Sequence, residues 1–270
     1  MTKYINKTMA ILACCCILFS SCKKVIQLDL KASDKKIVIE GGINDASSIN
    51  TITLTKNINF NESNFFPSVT GAIVKVSDNA GNSEILTETS AGVYQTFSML
   101  GVQGRTYFLS IEAEGKTYSA QSTMPYKVNF DTLSVTKEAG FLGEDSLYAI
   151  SPFYQDPAGI KNYYRFVRYI NNTRAKGSVS NNDFFYDGSY HSEPLEDEGF
   201  ELKNNDLKSN DTLTIEMQCV DKAINLYLVS KLQTASGQSG APANPKSNIV
   251  GGALGYFSAY TKQTRKVKIK

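Results

Sequence analysis

Between Lys36 and Thr123 apolar and polar residues alternate with a period of two, and this pattern constrains the fold more than any other feature of the chain. KIVIEGGI (36–43), TITLTKNI (51–58), AIVKVSD (72–78), YFLSIEAE (107–114) and KTYSAQST (116–123) all follow it. Successive side chains of a strand point to opposite faces, so such segments bury one face and wet the other. A helix would scatter the same apolar residues around its axis. DNAGN at 78–82 and Gly115 supply the positive-φ residues that tight hairpins demand. Residues 35–125 are therefore expected to form a small β-sandwich.

Pro125 follows the last of these strands and cannot continue a ladder, which predicts a boundary there and a second β-rich domain over 126–270. Its strands are expected within VNFDTLSVT (128–136), SLYAISPFYQD (146–156), NYYRFVRYIN (162–171) and TLTIEMQCV (212–220). In the third of these, Tyr163, Arg165, Val167 and Tyr169 share one face and Tyr164, Phe166, Arg168 and Ile170 the other, so neither face is wholly apolar. Residues 172–210 read as long polar loops over short strands. The period then changes. Val220, Ala223, Ile224, Tyr227, Leu228 and Leu232 form one helical stripe, with Asp221 as N-cap and Gly237 as stop. This predicts one amphipathic helix, about 221–235, packed on the C-terminal sheet. A Gly/Pro/Ser-rich loop and two closing strands follow it. The fold class is thus mainly β with one helix, and 270 residues at 41% hydrophobic supply material for packed cores.

The N-terminus has a different character. Lys3 and Lys7 precede an apolar run of 11 residues, Met9 to Phe19, too short for the roughly 20 residues that cross a bilayer. Residues 1–21 read as a signal peptide, and LFSSC before Lys23 looks like a lipobox, in which cleavage precedes Cys22 and its thiol is diacylated. The plainer alternative is a secreted protein with a free thiol at Cys22. Cys14, Cys15 and Cys16 would leave with the signal, so Cys22 and Cys219 remain and no disulfide framework is available. Cys219, inside an apolar strand pattern, is expected to be a small buried hydrophobe. Each buried acyl methylene contributes about 0.8 kcal/mol, and two or more chains anchor stably where one is marginal. Residues 22–34 form the tether, whose first acidic residue is Asp29, after Lys23 and Lys24.

Twenty-eight basic against 26 acidic residues leave a net charge of +2, which excludes nucleic acid as an expected partner on electrostatic grounds. No nucleophile elbow, phosphate loop, zinc-protease helix or dinucleotide fingerprint appears. No catalytic residue, cofactor or metal is expected. The single histidine, His191, sits among polar residues and is expected to be an exposed loop residue. Asp183, Asp187, Glu193, Glu196, Asp197, Glu198 and Glu201 cluster in one stretch. They lack calcium-loop spacing and read as a solvated acidic loop. Phe65 and Phe66 in one polar loop, and Phe184, Phe185, Tyr186 and Tyr190 in another, either plug the ends of their sandwiches or anchor a partner.

The stretch GAIVKVSDNAGNSEILTETSAGVYQTFSMLGVQGRTYFLSIEAEGKTYSA resembles the transthyretin-like or carboxypeptidase-regulatory type of immunoglobulin-like domain, which implies an immunoglobulin-like/transthyretin-like β-sandwich over residues 35–125. Asn244-Pro245, Ser247-Asn248-Ile249, Gly251-Gly252 and Leu254-Gly255-Tyr256-Phe257 resemble the closing motif of a family of Bacteroidota outer-membrane lipoproteins carrying a domain of unknown function of the DUF4249 type. Its other shared features are the Cys22 lipobox, the run from Asp156 to Phe166, DFFYDG at 183–188 and NDTL at 210–213. Genes of that family commonly lie beside TonB-dependent receptors. The resemblance therefore implies a non-catalytic accessory or binding subunit in nutrient uptake, anchored in the outer membrane and facing the cell surface, with the periplasmic face as the alternative, and with the receptor as partner. A glycan-binding surface lipoprotein is the alternative, taking a glycan or peptide ligand, and a hydrolase is a remote one. Loops 58–70, 172–200 and 237–252 are the expected contact surfaces, with Phe65, Phe66, Phe184, Phe185, Tyr186, Tyr190, Asn244 and Pro245 as contact residues. The glycines of the closing motif also have a structural reading, as places where the backbone passes close to another element.

Overall fold

The alternating segments are strands close to where their periodicity puts them. The first stretch of chain gives β1 (Ile37–Asn44), β2 (Thr51–Lys56), β3 (Ile73–Asp78), β4 (Ser83–Ile85), β5 (Thr87–Ser90), β6 (Val93–Gln95), β7 (Thr106–Ala113) and β8 (Lys116–Thr123). Beyond Pro125 come β9 (Thr132–Glu138), β10 (Leu147–Gln155), β11 (Tyr163–Ile170), β12 (Thr173–Asn182), β13 (Tyr190–His191), β14 (Leu202–Lys203) and β15 (Thr212–Cys219). Helix α1 (Lys222–Ala235), β16 (Ile249–Val250) and β17 (Leu254–Lys268) complete the chain. The computed structural model describes residues 34–59, 62, 65–138, 147–182, 187–192, 194–195, 202–203, 207–235 and 244–270. Lys35–Lys270 is the larger contact unit, and the signal, Cys22 and all of the tether but Asp34 lie outside the described residues.

An eight-stranded sheet in the order β12-β11-β15-β17-β1-β2-β6-β5 runs through the larger unit. A five-stranded sheet, β16-β8-β7-β3-β4, backs one part of it, and β10 with β9, β13 and β14 backs the other. The strand that unites them is β17. Its first half runs parallel to β1, from Leu254 opposite Val38 to Tyr260 opposite Asn44, and its second half pairs antiparallel with β15. Fifteen residues therefore serve two neighbourhoods in sequence.

Two apolar layers result. The first holds Ile39, Ile52, Leu54, Val76, Tyr94, Tyr107 and Ile111, joined from the C-terminus by Ile249, Ala253, Phe257 and Ala259. The second holds Phe130, Ile150, Tyr154, Tyr164, Phe166, Ile215, Met217 and Cys219. Burying each large side chain contributes on the order of 1.5–3 kcal/mol. Core residues before Pro125 belong to the first layer, and β16 pairs with β8 and β17 with β1, so segment 35–125 takes core residues and strand partners from the end of the chain. Cys219 is a buried free thiol, and burial pushes its pKa up.

Two sequence expectations need correction. Residues 173–182 are not loop but a ten-residue strand, β12, hairpinned to β11 through Asn171 and Asn172 at φ 49° and 66°. Asparagine tolerates this left-handed region better than other side chains do. His191 is not exposed either. It is 2% accessible, in β13 opposite Tyr154, and its ring stacks on the Tyr154 ring at 4.8 Å. A two-residue strand gives no periodic signal, so its polar neighbours misled. Among the described residues no helix is long and apolar enough to cross a membrane.

Candidate functional site

The eight-stranded sheet buries apolar residues on one face, and its other face is polar along the central strands. Register explains why. Arg165 of β11 lies opposite Gln218 of β15, and Gln218 opposite Lys262 of β17, so three polar side chains form one row across three strands. Val167 opposite Glu216 and Tyr169 opposite Thr214 extend the same face, while Phe166 opposite Met217 points into the second core. On β1 and β17, Glu40 faces Tyr256 and Asn44 faces Tyr260. Side chains directly opposite one another on paired strands stand about 4.5–5.5 Å apart at Cβ.

Helix α1 covers one side of this face. Asp221 caps it as its sequence position predicts, its Oδ1 accepting from the Ile224 amide at 3.0 Å. Val220, Ile224, Tyr227 and Leu228 pack against Tyr163, Tyr256 and Tyr260. Between helix and sheet lies a cleft of about 810 Å³, lined on the helix side by Leu228, Lys231 and Leu232 and floored by Arg165, Glu216, Gln218, Tyr256 and Tyr260.

Arg165 is the most confined cation in the cleft. It is 7% accessible, donates from Nη1 to the Tyr256 hydroxyl at 3.1 Å, and lies with its guanidinium 5.6 Å from the Tyr256 ring centre. Burial works against its charge, but Tyr256, Tyr260 and Glu216 more than offset this and raise its pKa. Its Nε has no hydrogen-bond partner among the described residues, and neither has Oε1 of the adjoining Gln218. Glu216 is by contrast fully engaged. Its Oε2 takes Lys262 Nζ at 2.9 Å and the Tyr169 hydroxyl at 3.3 Å, and its Oε1 takes Gln218 Nε2. At the rim Lys231 Nζ lies 3.8 Å from Glu40 Oε1. Burial, with Glu216 as the next cause, raises the Tyr260 and Tyr169 pKa values, and burial with Glu40 raises that of Tyr227. The phenols consequently remain neutral donors. Such an arrangement presents charges and hydrogen-bonding groups along one wall of the cleft.

The contact residues expected from sequence lie elsewhere. Phe65 and Phe66 are exposed, at 72% and 53%, and Tyr190, 51% exposed, packs its ring 6.2 Å from that of Phe153. Asn244 and Pro245 belong to the segment leading into β16, whose next residue, Lys246, donates its amide to Ser230 Oγ of α1. None of these five lines the cleft. Phe184, Phe185, Tyr186 and Cys22 lie outside the described residues, as does the acidic stretch apart from Asp187, which accepts from the Gly159 amide at 2.6 Å. Among the described residues no group of three or more His, Cys, Asp or Glu is placed to hold a metal. The cleft was missed because its residues come from strand positions whose partners are remote in sequence. Its signal was present in the mixed faces of NYYRFVRYIN, and in Glu216 and Gln218 alternating with Ile215, Met217 and Cys219.

A family model described as a domain of unknown function (DUF4249) matches residues 23–266. No curated protein matches the chain. Among solved structures, a two-domain fibronectin type III segment of chicken tenascin matches at 9% identity, covering 87% of this chain and 99% of that one. Its TM-score is 0.21.

Proposed function

The chain belongs to the DUF4249 family, and from that premise we propose that it is a lipid-anchored binding protein of the bacterial outer membrane, a non-catalytic accessory subunit of a TonB-dependent receptor in nutrient uptake. The cleft carries the binding part of this reading. Polar groups withdrawn from water without partners are costly, and a chain that keeps Arg165 Nε and Gln218 Oε1 in that condition gains if a ligand completes them. A concavity of several hundred cubic ångströms on a rigid sheet suits a ligand of monosaccharide to small-oligomer size. Guanidinium, ammonium, phenol and amide groups line it, and these are groups that hold and orient.

The envelope part rests on residues 1–22: a basic start, a short apolar run and a cysteine placed for acylation. The barrel-receptor partner rests on the family's gene neighbourhood. An affinity pull-down of the acylated protein from detergent-solubilised outer membranes tests the whole reading. Co-purification of a stoichiometric β-barrel receptor is the expected result, and Cys22→Ala is expected to release the protein from sedimenting envelopes. A bait that returns alone, or a Cys22→Ala protein that still sediments with the membrane, would reject it.

A further inference from the structure

The charges of the cleft do not balance within the chain. Arg165, Arg174, Lys231 and Lys262 line it against two carboxylates, Glu40 and Glu216. Each carboxylate is already within 4 Å of a lysine, Glu40 with Lys231 and Glu216 with Lys262. Neither Arg165 nor Arg174 has a carboxylate at that range among the described residues. Arg165 is more than nine-tenths buried, and a confined cation of this kind normally has a counter-ion. Here the groups it touches are the Tyr256 hydroxyl and ring, and Glu216 acts on it without an ion pair. A guanidinium is planar and presents paired donors that match an oxyanion, whereas lysine offers a point charge. Beside it the Gln218 carbonyl oxygen lacks a donor, and a ligand hydroxyl would supply one.

We infer that the cleft binds a small hydroxyl-bearing organic anion, its carboxylate or phosphate taken by Arg165 and drawn in by Arg174, with a hydroxyl donated to Gln218. This rests on the binding reading above and names the ligand class for that same cleft. Glu216 is held by Lys262, Tyr169 and Gln218, which keeps it from closing on Arg165 and leaves the guanidinium for the solute. Tyr256 and Tyr260, on the same face of β17 with Ser258 between them, add phenol hydroxyls to the lining.

Titration calorimetry on the full acylated protein in neutral detergent, with D-glucuronate, D-glucose 6-phosphate and D-glucose as separate probes, decides the matter. At least one of the two anions is expected to bind at least about tenfold more tightly than glucose, with affinity falling as sodium chloride is raised from 50 to 500 mM. The stronger of the two identifies the acid group. Arg165→Gln is expected to weaken that binding at least about tenfold, as loss of a charge-assisted pair does. Arg174→Gln, at an exposed strand position, is expected to weaken it several-fold with an unchanged melting temperature. Should Arg165→Gln lose its cooperative melting transition, Arg174→Gln alone decides, and unaltered affinity there overturns the proposal. Glucose binding as tightly as both anions overturns the anion assignment while leaving a binding protein. Silence from both anions overturns the assignment as well, and the receptor pull-down tests the accessory role separately.

Discussion

At the residue scale the closing motif shows what one missing β-carbon accomplishes. Gly255 has φ 95°, and a Cβ built on it would stand 2.0 Å from the Ile39 carbonyl oxygen in the neighbouring strand β1. No rotamer relieves a clash with backbone. Gly255→Ala is therefore expected to destabilise by more than about 2 kcal/mol in urea unfolding, combining conformational strain of roughly 1–3 kcal/mol with displacement of the strand pair. Gly81→Ala is the control, because Gly81 has φ 89° in open space and bears the strain without the collision. Equal losses at the two positions would show that close approach is not why Gly255 is glycine. This role was readable from sequence, since a glycine among strand residues commonly marks an approach or a bend. The role of Tyr256 was only half readable. An aromatic in a strand reads as a packing residue, and Phe257 is one in the first core, but Tyr256 faces the cleft and meets Arg165. Which of two adjacent aromatics points inward depends on a register set by β1, remote in sequence.

Elements were legible in proportion to how local their causes are. Helix α1 begins one residue from its expected start because Asp221, its cap, and the apolar stripe lie within the segment itself. What could not be read is that the same carboxylate ties the helix to another layer. Asp221 Oδ2 accepts from Ser122 Oγ at 2.6 Å and from the Thr123 amide at 3.2 Å, and Ser122 Oγ in turn accepts the Ala259 amide at 2.8 Å. Helix start, β8 and β17 thus share one chain of hydrogen bonds. Asp221→Ala is expected to cost about 1–3 kcal/mol, the sum of a lost cap and a buried hydroxyl left without its acceptor. Amide exchange is expected to rise at Ile224 and at Ala259 together. Faster exchange confined to the helix would show that the link to β17 carries no stability. Strand β12 escaped because Lys176, Gly177, Ser178 and Asn181 lack the β-branched and aromatic character of strands. Its partner β11 makes it a strand through backbone pairing, which composition does not record.

At the scale of the molecule, the mainly β character with one helix followed from periodicity, whereas the sharing of strands between the two halves did not. Alternation says which residues face inward and is silent on which strand lies alongside. The C-terminal residues accordingly read as the end of a second domain, while seven of them, Leu254 to Tyr260, line up with β1 and the next eight with β15. This has a consequence for residues 35–125 taken alone. Without the C-terminus, β1 keeps β2 on one side and exposes its other edge, an opening for aggregation. The first core also loses Ile249, Ala253, Phe257 and Ala259, all buried in it. Phe257 alone removes a contribution on the order of 3–5 kcal/mol, comparable to much of the 5–15 kcal/mol by which a domain is usually stable. Residues 35–125 are therefore expected to show no cooperative thermal transition and to bind a hydrophobic dye. Joining residues 244–262 to them through a flexible Gly/Ser linker is expected to restore a single transition, because β16 and the parallel half of β17 are then returned to their places. If residues 35–125 melt cooperatively by themselves at the temperature of the full chain, the C-terminal strand is an addition to a finished sandwich and the cleft on its far face can be lost without cost to the first core. If the joined chain alone melts cooperatively, then β17, which bears Tyr256, Tyr260 and Lys262 of the cleft, is the same strand that completes the fold, and any substitution that loosens β17 is felt at the cleft.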